Sequence, residues 1–496
     1  AEGRQQPKEA CYEAHIPLGE GGAVNMLRIV IAFILGGTFA WMTFIRSDEA
    51  EDPEGKGPRY RPYLEGWLLP GYAALMLIAV LFFPGWSELA KKAAACMIMM
   101  FLHISLYFVL LLLAQPFLRR HLRAGSCALL WLTPNYLYLA MSSGMVVPPR
   151  WVISMPQGVV ERVAAVWLVG VLVVLGWKIF SHLRFRRWLL RGAEEVSDPA
   201  VLAVWQAEVE RAREKKPKFR LVTSPQASTP ITIGLFPKSV RVVLPRRHYT
   251  PEELKLIFRH ELVHLGREDA WGKFFLVFCT AVCWFNPLMW LAMNKSAQDL
   301  ELSCDEKVAS SLEEGERRQY ADLILRTAGD GRGFTTCLSA SASALRYRLK
   351  GIIQPPRRRT GAVVVGVATG LLILAFGQVG VACGVGTGAE SLFGGEPGNV
   401  SLTEAAWTGE RPYVPASCRD EGALTDYLSS LTLYQMAEDY FYPGDGVEQI
   451  SLTYETPQGE LEADLYGDGI RVMTSWEESS REHYYYVSGG LDWERL

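Results

Sequence analysis

The chain has nine cysteines among 496 residues but no C-x-x-C pair, so neither a thiolate zinc ribbon nor a thioredoxin-type redox motif is available to it. Cys96, Cys127, Cys279 and Cys283 sit inside apolar runs and read as small packing residues. Cys383 and Cys418 could pair only if both face an oxidising compartment. Lysine is absent after Lys350, which excludes a Ser-x-x-Lys nucleophile from the last part of the chain. No excess of one charge exists either. Fifty Lys+Arg against 53 Asp+Glu give a net charge of −3, which carries no signal for nucleic acid, and no direct nucleic-acid binding is expected. The placement of charge is more informative than its sum. Basic clusters hug the apolar runs, and the segment after residue 384 is acidic.

Hydrophobic residues make up 49% of the chain and are clumped. Runs at Ile29–Ile45, Trp67–Pro84, Ala93–Phe117, Cys127–Val147, Val160–Phe180 and Gly361–Cys383 have the length of membrane spans, about 17–25 residues. Gly36-Gly37 in the first run permit close helix packing. The richest basic clusters follow runs one, three and five (Arg119–Arg123, Arg184–Arg187) and precede run six (Arg357–Arg359). Positive charge marks the cytoplasmic side, so the N-terminus is expected outside, residues 182–360 in the cytoplasm and residues 384–496 outside. Either Ala1 or Met26 could be the natural first residue.

The stretch His260-Glu-Leu-Val-His264 ends a helical pattern that begins at Pro251. Residues i and i+4 share one helix face, so His260 and His264 can present two imidazoles to a single metal ion. Glu261 then points towards the open coordination position, where it can take a proton from a bound water. This is the H-E-x-x-H arrangement of zinc proteases. Its third ligand should be a carboxylate on a later helix, and Glu301 is the candidate. Asp305, one turn beyond, is placed to hold a ligand histidine, and Asp269 is a further supporting acid. Asp299 and Glu306 read as a charged helix face, and Cys304 as packing.

Phe274–Met293 is apolar enough to suggest another span, yet one crossing would separate Glu301 from His260. Trp284-Phe-Asn-Pro287 interrupts it, so a helical hairpin that dips into the bilayer and returns is expected. Ahead of the motif, Lys218–Thr223, Pro230–Gly234 and Val240–Leu244 read as short strands, with Val240–Leu244 either the candidate to pair an extended substrate or a plain core strand. Glu313–Thr327 reads as an amphipathic helix. Ser339–Ile353, with Arg346, Arg348 and Lys350, reads as a juxtamembrane helix touching anionic lipid. Residues 384–398 look like a Gly-rich flexible linker. Asp420–Phe441 looks helical, and four strands follow over 447–488. The Tyr484-Tyr-Tyr486 run is either a binding face or partly core.

His260–His264 with Asp269, Trp284-Phe-Asn-Pro287, Glu301–Asp305, Ser228-Thr-Pro230 to Gly234, Val243-Leu-Pro245 and Leu338–Lys350 together resemble the antibiotic sensor-transducer family of integral-membrane zinc metallopeptidases, the β-lactam and methicillin resistance regulators. The resemblance covers roughly residues 94–383 and implies a gluzincin fold. It implies that His260, His264 and Glu301 bind one zinc ion, that Glu261 is the general base, and that an outside sensor governs a cytoplasmic protease that cuts itself or a transcriptional repressor. Two departures stand out. Residues 1–92 add two spans, and the missing lysines argue against covalent β-lactam sensing by the C-terminal domain.

The expected architecture is a multi-pass α-helical membrane protein with an inserted cytoplasmic α+β gluzincin domain and a small extracytoplasmic α+β domain. Its parts are an N-terminal extension with two spans (1–92), three further spans (93–192), the protease domain (193–360) with its membrane-dipping hairpin (274–293), a last span (361–383), the linker (384–398) and the outer domain (399–496). Expected partners are a cytoplasmic protein substrate such as a repressor, membrane lipid and an unidentified extracellular ligand, and a homodimer is admitted. The competing readings are a non-catalytic receptor or scaffold, which would have no reason to keep Glu261, and a housekeeping membrane zinc protease, which would have no outside domain.

Overall fold

The structure, a computed structural model, describes residues 29–41, 66–82, 86–137, 151–154, 159–212, 219–327, 342–354, 359–375, 379–408, 414–415, 420–436, 449–457, 459–467, 469–476, 479–493 and 495–496. The choice of start residue, the second half of the fourth apolar run and Cys418 lie outside them.

The N-terminal half is helical: α1 (Ile29–Trp41), α2 (Leu68–Phe82), α3 (Trp86–His121), α4 (Ala124–Leu130), a short strand β1 (Trp151–Ser154) and α5 (Val159–Leu189). Within α3 and α5, Met97–His121 and Arg162–Leu189 are long and apolar enough to cross a membrane, while Ile29–Trp41, Leu68–Ile78 and Ala362–Ala375 are apolar but shorter. The fourth run departs from the expected continuous span. Its described part is α4, a turn and a 3-10 segment at Thr133–Tyr136. Pro134 has no N–H to continue the ladder, and Asn135 turns inward to accept a hydrogen bond from the Leu69 backbone N–H at 3.0 Å.

The middle of the chain runs β2 (Glu194–Glu195), α6 (Pro199–Arg211), β3 (Arg220–Ser224), β4 (Ile231–Ile233), β5 (Arg241–Pro245), α7 (Pro251–Gly266), α8 (Asp269–Val282), α9 (Pro287–Ser310), α10 (Glu314–Thr327) and α11 (Ala342–Ile353). The sheet order is β2-β3-β5-β4. β5 is therefore paired on both sides, and Val240–Leu244 cannot take up a substrate strand. The edge strands are β2 and β4, and β4 is the one beside Glu261. Helices α8 and α9 are the two arms of the expected hairpin, turning at Cys283–Asn286, where the Asn286 side chain caps α9 through the Leu288 N–H. The hairpin packs Phe275, Cys279, Val282 and Met289 into one core with Ile104 and Phe108 of α3 and with Trp131. A second core joins α6, α7, α9 and α10 through Trp205, Phe258, Val308 and Tyr320.

The last apolar run splits into α12 (Ala362–Ala375) and a strand, β6 (Val379–Thr387). Then follow α13 (Gly388–Phe393), β7 (Ser401–Thr408), β8 (Val414–Pro415), α14 (Glu421–Ser430), β9 (Thr432–Met436), β10 (Gln449–Thr456), β11 (Gly459–Tyr466), β12 (Gly469–Trp476) and β13 (Ser479–Val487). Residues 384–398 are thus ordered structure and not a linker. Their glycines serve close approach: a Cβ on Gly386 would lie 2.7 Å from Ser391 Oγ, and one on Gly388 would strike the Leu428 carbonyl. The helix expected over 420–441 stops at Ser430, and Thr432–Met436 is strand. Tyr485 enters the core under α13 and α14, whereas Tyr484 and Tyr486 occupy the opposite face with Tyr434, Tyr466 and Met99 of α3. The nine-stranded sheet takes in β1, which pairs in parallel with β6 from Trp151↔Val379 to Ser154↔Ala382.

Asp299, expected on a solvated face, is only 1% exposed. It accepts hydrogen bonds from Gln115 Nε2 (2.6 Å), Arg119 Nε (2.7 Å) and Trp131 Nε1 (2.7 Å), which fastens α9 to α3. Glu306 is likewise a partner, accepting the Ala124 N–H at the start of α4. Removing one member of a buried ion pair leaves the other uncompensated, so Asp299→Ala should destabilise the fold by about 3–5 kcal/mol. Thermal unfolding of the detergent-solubilised chain measures this; an unchanged midpoint would contradict it.

Candidate metal centre

Helix α7 starts where Thr250 and Glu253 cap each other, Thr250 Oγ1 accepting the Glu253 N–H at 3.2 Å and Glu253 Oε2 accepting the Thr250 N–H at 3.0 Å. Pro251 occupies the first helical position, where its missing N–H costs nothing. Four residues apart on this helix, His260 and His264 bring their Nε2 atoms to 3.2 Å. The carboxylate of Glu301, on α9, lies across from both: Oε2 is 3.7 Å from His260 Nε2, and Oε1 is 3.7 Å from His264 Nε2. Two donors bound to zinc at about 2.0–2.1 Å with tetrahedral angles stand about 3.3 Å apart, so the spacing suits one such ion. Among the described residues, the buried Glu301 Oε1 has no hydrogen-bond partner, as suits an atom that would hold a metal.

Each histidine is held by its other nitrogen. His264 Nδ1–H donates to Asp269 Oδ2 at 2.6 Å. Asp269 is brought back to it by Glu268, whose φ of 55° is left-handed, and is braced by Arg267 Nη2 at 2.7 Å. His260 Nδ1–H donates to the Tyr320 oxygen at 2.7 Å, and the Tyr320 hydroxyl donates to Asp305 Oδ1 at 2.9 Å. Asp305 therefore reaches its histidine through a tyrosine, with Oδ1 3.6 Å from Nδ1. Both arrangements leave the Nε2 lone pairs directed at the same place.

Cys304 forms a compact cluster with the two histidines. Its Sγ lies 3.3 Å from His260 Nδ1, the nitrogen already engaged by Tyr320, and 3.4 Å from the His260 carbonyl oxygen. A metal held by Cys304 would therefore have to displace that hydrogen bond, whereas Glu301 faces the free Nε2 pair. The donor set His260, His264 and Glu301 fits better, and Cys304 packs behind it.

Electrostatics follow from burial. Burial opposes a charge on His264, but Cys304, Glu301 and Asp269 outweigh it and lift the metal-free imidazole to about 9. Burial likewise opposes ionisation of Glu301, yet His264, His260, Lys273 and Arg348 hold it well below the usual carboxylate range. Glu261, 4% exposed, accepts a hydrogen bond from Thr232 Oγ1 of edge strand β4 at 2.6 Å.

Several of these residues are invisible to motif reading. Tyr320, Thr232 and Lys273 come from three different elements, and Arg267 from the turn between α7 and α8. Arg348 corrects the lipid-facing reading of α11: Nε donates to Asp305 Oδ2 at 2.6 Å and Nη2 to Oδ1 at 2.9 Å. The available signal was its position three and four residues from Leu345 and Ile352, on the helix's apolar face. Arg346 and Lys350 remain exposed.

Sequence comparison covers this same region. The family described as BlaR1 peptidase M56 matches residues 150–352. The regulatory protein BlaR1 of Bacillus licheniformis is 28% identical over 186 residues, 37% of this chain and 30% of that relative. The methicillin resistance mecR1 proteins of Staphylococcus aureus and Staphylococcus epidermidis are each 30% identical over 107 residues, 21% of this chain and 18% of theirs. The matches thus span less than a third of these relatives' length. The matched residues hold the whole candidate donor set with its supporting side chains, and over residues 150–352 the chain is similar to the family described as BlaR1 peptidase M56.

Proposed function

We propose that this chain is a membrane-embedded zinc endopeptidase that relays an outside signal by cutting itself or a cytoplasmic regulatory protein such as a transcriptional repressor. The observation that carries the reading is the convergence of His260 Nε2, His264 Nε2 and Glu301 beside Glu261. His260, His264 and Glu301 would hold zinc, which when bound lowers the pKa of a water towards 7. Glu261 takes a proton from the attacking water as its oxygen bonds to the scissile carbonyl carbon. The C–N bond then breaks and that proton passes to the leaving nitrogen. Thr232 holds the Glu261 carboxylate in place for both transfers. The free edge of β4 offers main-chain groups to an extended substrate.

The peptidase segment is read as cytoplasmic and the nine-stranded domain as extracytoplasmic, in keeping with the basic flanks of the apolar runs. The pairing of β1 with β6 supports a common side for the segment before α5 and the segment after α12.

In host cells, new protein N-termini should appear with the wild-type chain and be absent with Glu261→Gln, which should keep its zinc. Identical sets of termini would sink the peptidase reading. Glu301→Ala should lose most of its metal, and undiminished zinc would reassign the third ligand. Because metal must displace a proton from His264, zinc affinity should climb with pH up to about 9 and fall below it. Competition with a chelator at several pH values tests this, and a flat profile between pH 6 and 9 would contradict it.

A further inference from the structure

Glu301 sits between two cations as well as two imidazoles. Arg348 Nη2 is 3.6 Å from Oε2 and Lys273 Nζ is 3.7 Å from Oε1. The two differ in what else they do. Arg348 is spent on Asp305, with two short hydrogen bonds. Lys273 Nζ is buried and, among the described residues, has no hydrogen-bond partner. Its ammonium has three donors and, among the described residues, faces the Glu301 carboxylate only at ion-pair distance, so its donors are left for an acceptor that arrives with the substrate.

The surroundings say where that acceptor enters. Lys273 lies one turn into α8, next to the donor set. Phe236, just beyond β4, meets Trp271 edge-on at a centroid distance of 5.7 Å, so the edge strand and the start of α8 border the same space. A peptide laid along β4 with its scissile bond near Glu261 would run past the start of α8, on which Lys273 lies.

Resting on the peptidase reading, we infer that Lys273 is a catalytic residue whose ammonium donates to the scissile carbonyl oxygen and stabilises the negative charge that builds there. Water adds to the carbonyl carbon, the C=O electron pair moves onto oxygen opposite Nζ, and Glu261 takes the water proton. When the C–N bond breaks the pair returns and the leaving nitrogen receives that proton. Lys273 keeps its own protons throughout. A donor aimed at a developing oxyanion acts chiefly on the rate and little on ground-state binding.

The test uses the full-length chain in detergent, as wild type, Lys273→Met, Lys273→Arg and Glu261→Gln. The substrate is a peptide of the cleavage-site sequence identified by the new termini, and the probe is its phosphinic counterpart with a tetrahedral phosphinate in place of the scissile amide. Lys273→Met should keep zinc and KM while kcat and phosphinate affinity each fall by about 10²–10³, and Lys273→Arg should recover part of both. Wild-type kcat and phosphinate affinity in Lys273→Met would overturn the inference, as would loss of zinc, which would make Lys273 a support of the metal site. A dead Glu261→Gln beside an active Lys273→Met removes this inference alone; a fully active Glu261→Gln removes the peptidase reading with it.

Discussion

A carboxylate taken out of water has to be paired, and helix α9 buries three of them: Asp299, Glu301 and Asp305. Each is answered by a different part of the chain. Asp299 draws in α3 and Trp131, Glu301 faces α7, α8 and α11, and Asp305 takes Tyr320 of α10 and Arg348 of α11. Glu306, one residue on, receives the first N–H of α4. The position of the candidate metal-binding side chains is thus set by the same helix that joins the apolar half of the molecule to the core around α7. Altering one of these pairs changes the helix that holds the others, which makes independent, additive effects the wrong expectation here.

Much of the centre was legible because short-range geometry dictates it. An i, i+4 pair of histidines has only one way to share a helix face, and the capped start at Thr250-Pro251 fixes where that helix begins. The hairpin followed from a physical exclusion, since Glu301 had to return to His260. What escaped was long-range. Nothing local distinguishes Asp299 from a solvated acid; its partners lie in α3 and beside α4, far back in the chain. Arg348 looked like a lipid contact because its helix is basic, and only its place among Leu345, Leu349 and Ile352 separates it from Arg346 and Lys350. The strands were found, but their order was not, and order decides which strand owns a free edge.

Glycine was misread in one place and read correctly in another. Between residues 384 and 398 its abundance suggested slack, yet Gly386 and Gly388 are there because another group occupies the space of a Cβ. The same steric logic holds for the first apolar run. A Cβ on Gly36 would sit 2.6 Å from the Gly366 carbonyl oxygen, and one on Gly366 would sit 2.5 Å from the Gly36 carbonyl oxygen, so α1 and α12 meet backbone to backbone. The N-terminal extension is in this way part of the packing around the last apolar helix.

The pairing of β1 with β6 has a consequence for what a cut in this chain can achieve. β1 precedes α5, β6 follows α12, and the sheet they share belongs to both halves of the molecule. A backbone break between α11 and Arg359 would leave those halves joined by the β1–β6 ladder, by the bridge between Leu122 and Arg359 and by the α1–α12 contact. The protein would be nicked but still in one piece. Scission and separation are two distinct events here, and the second needs its own driving force.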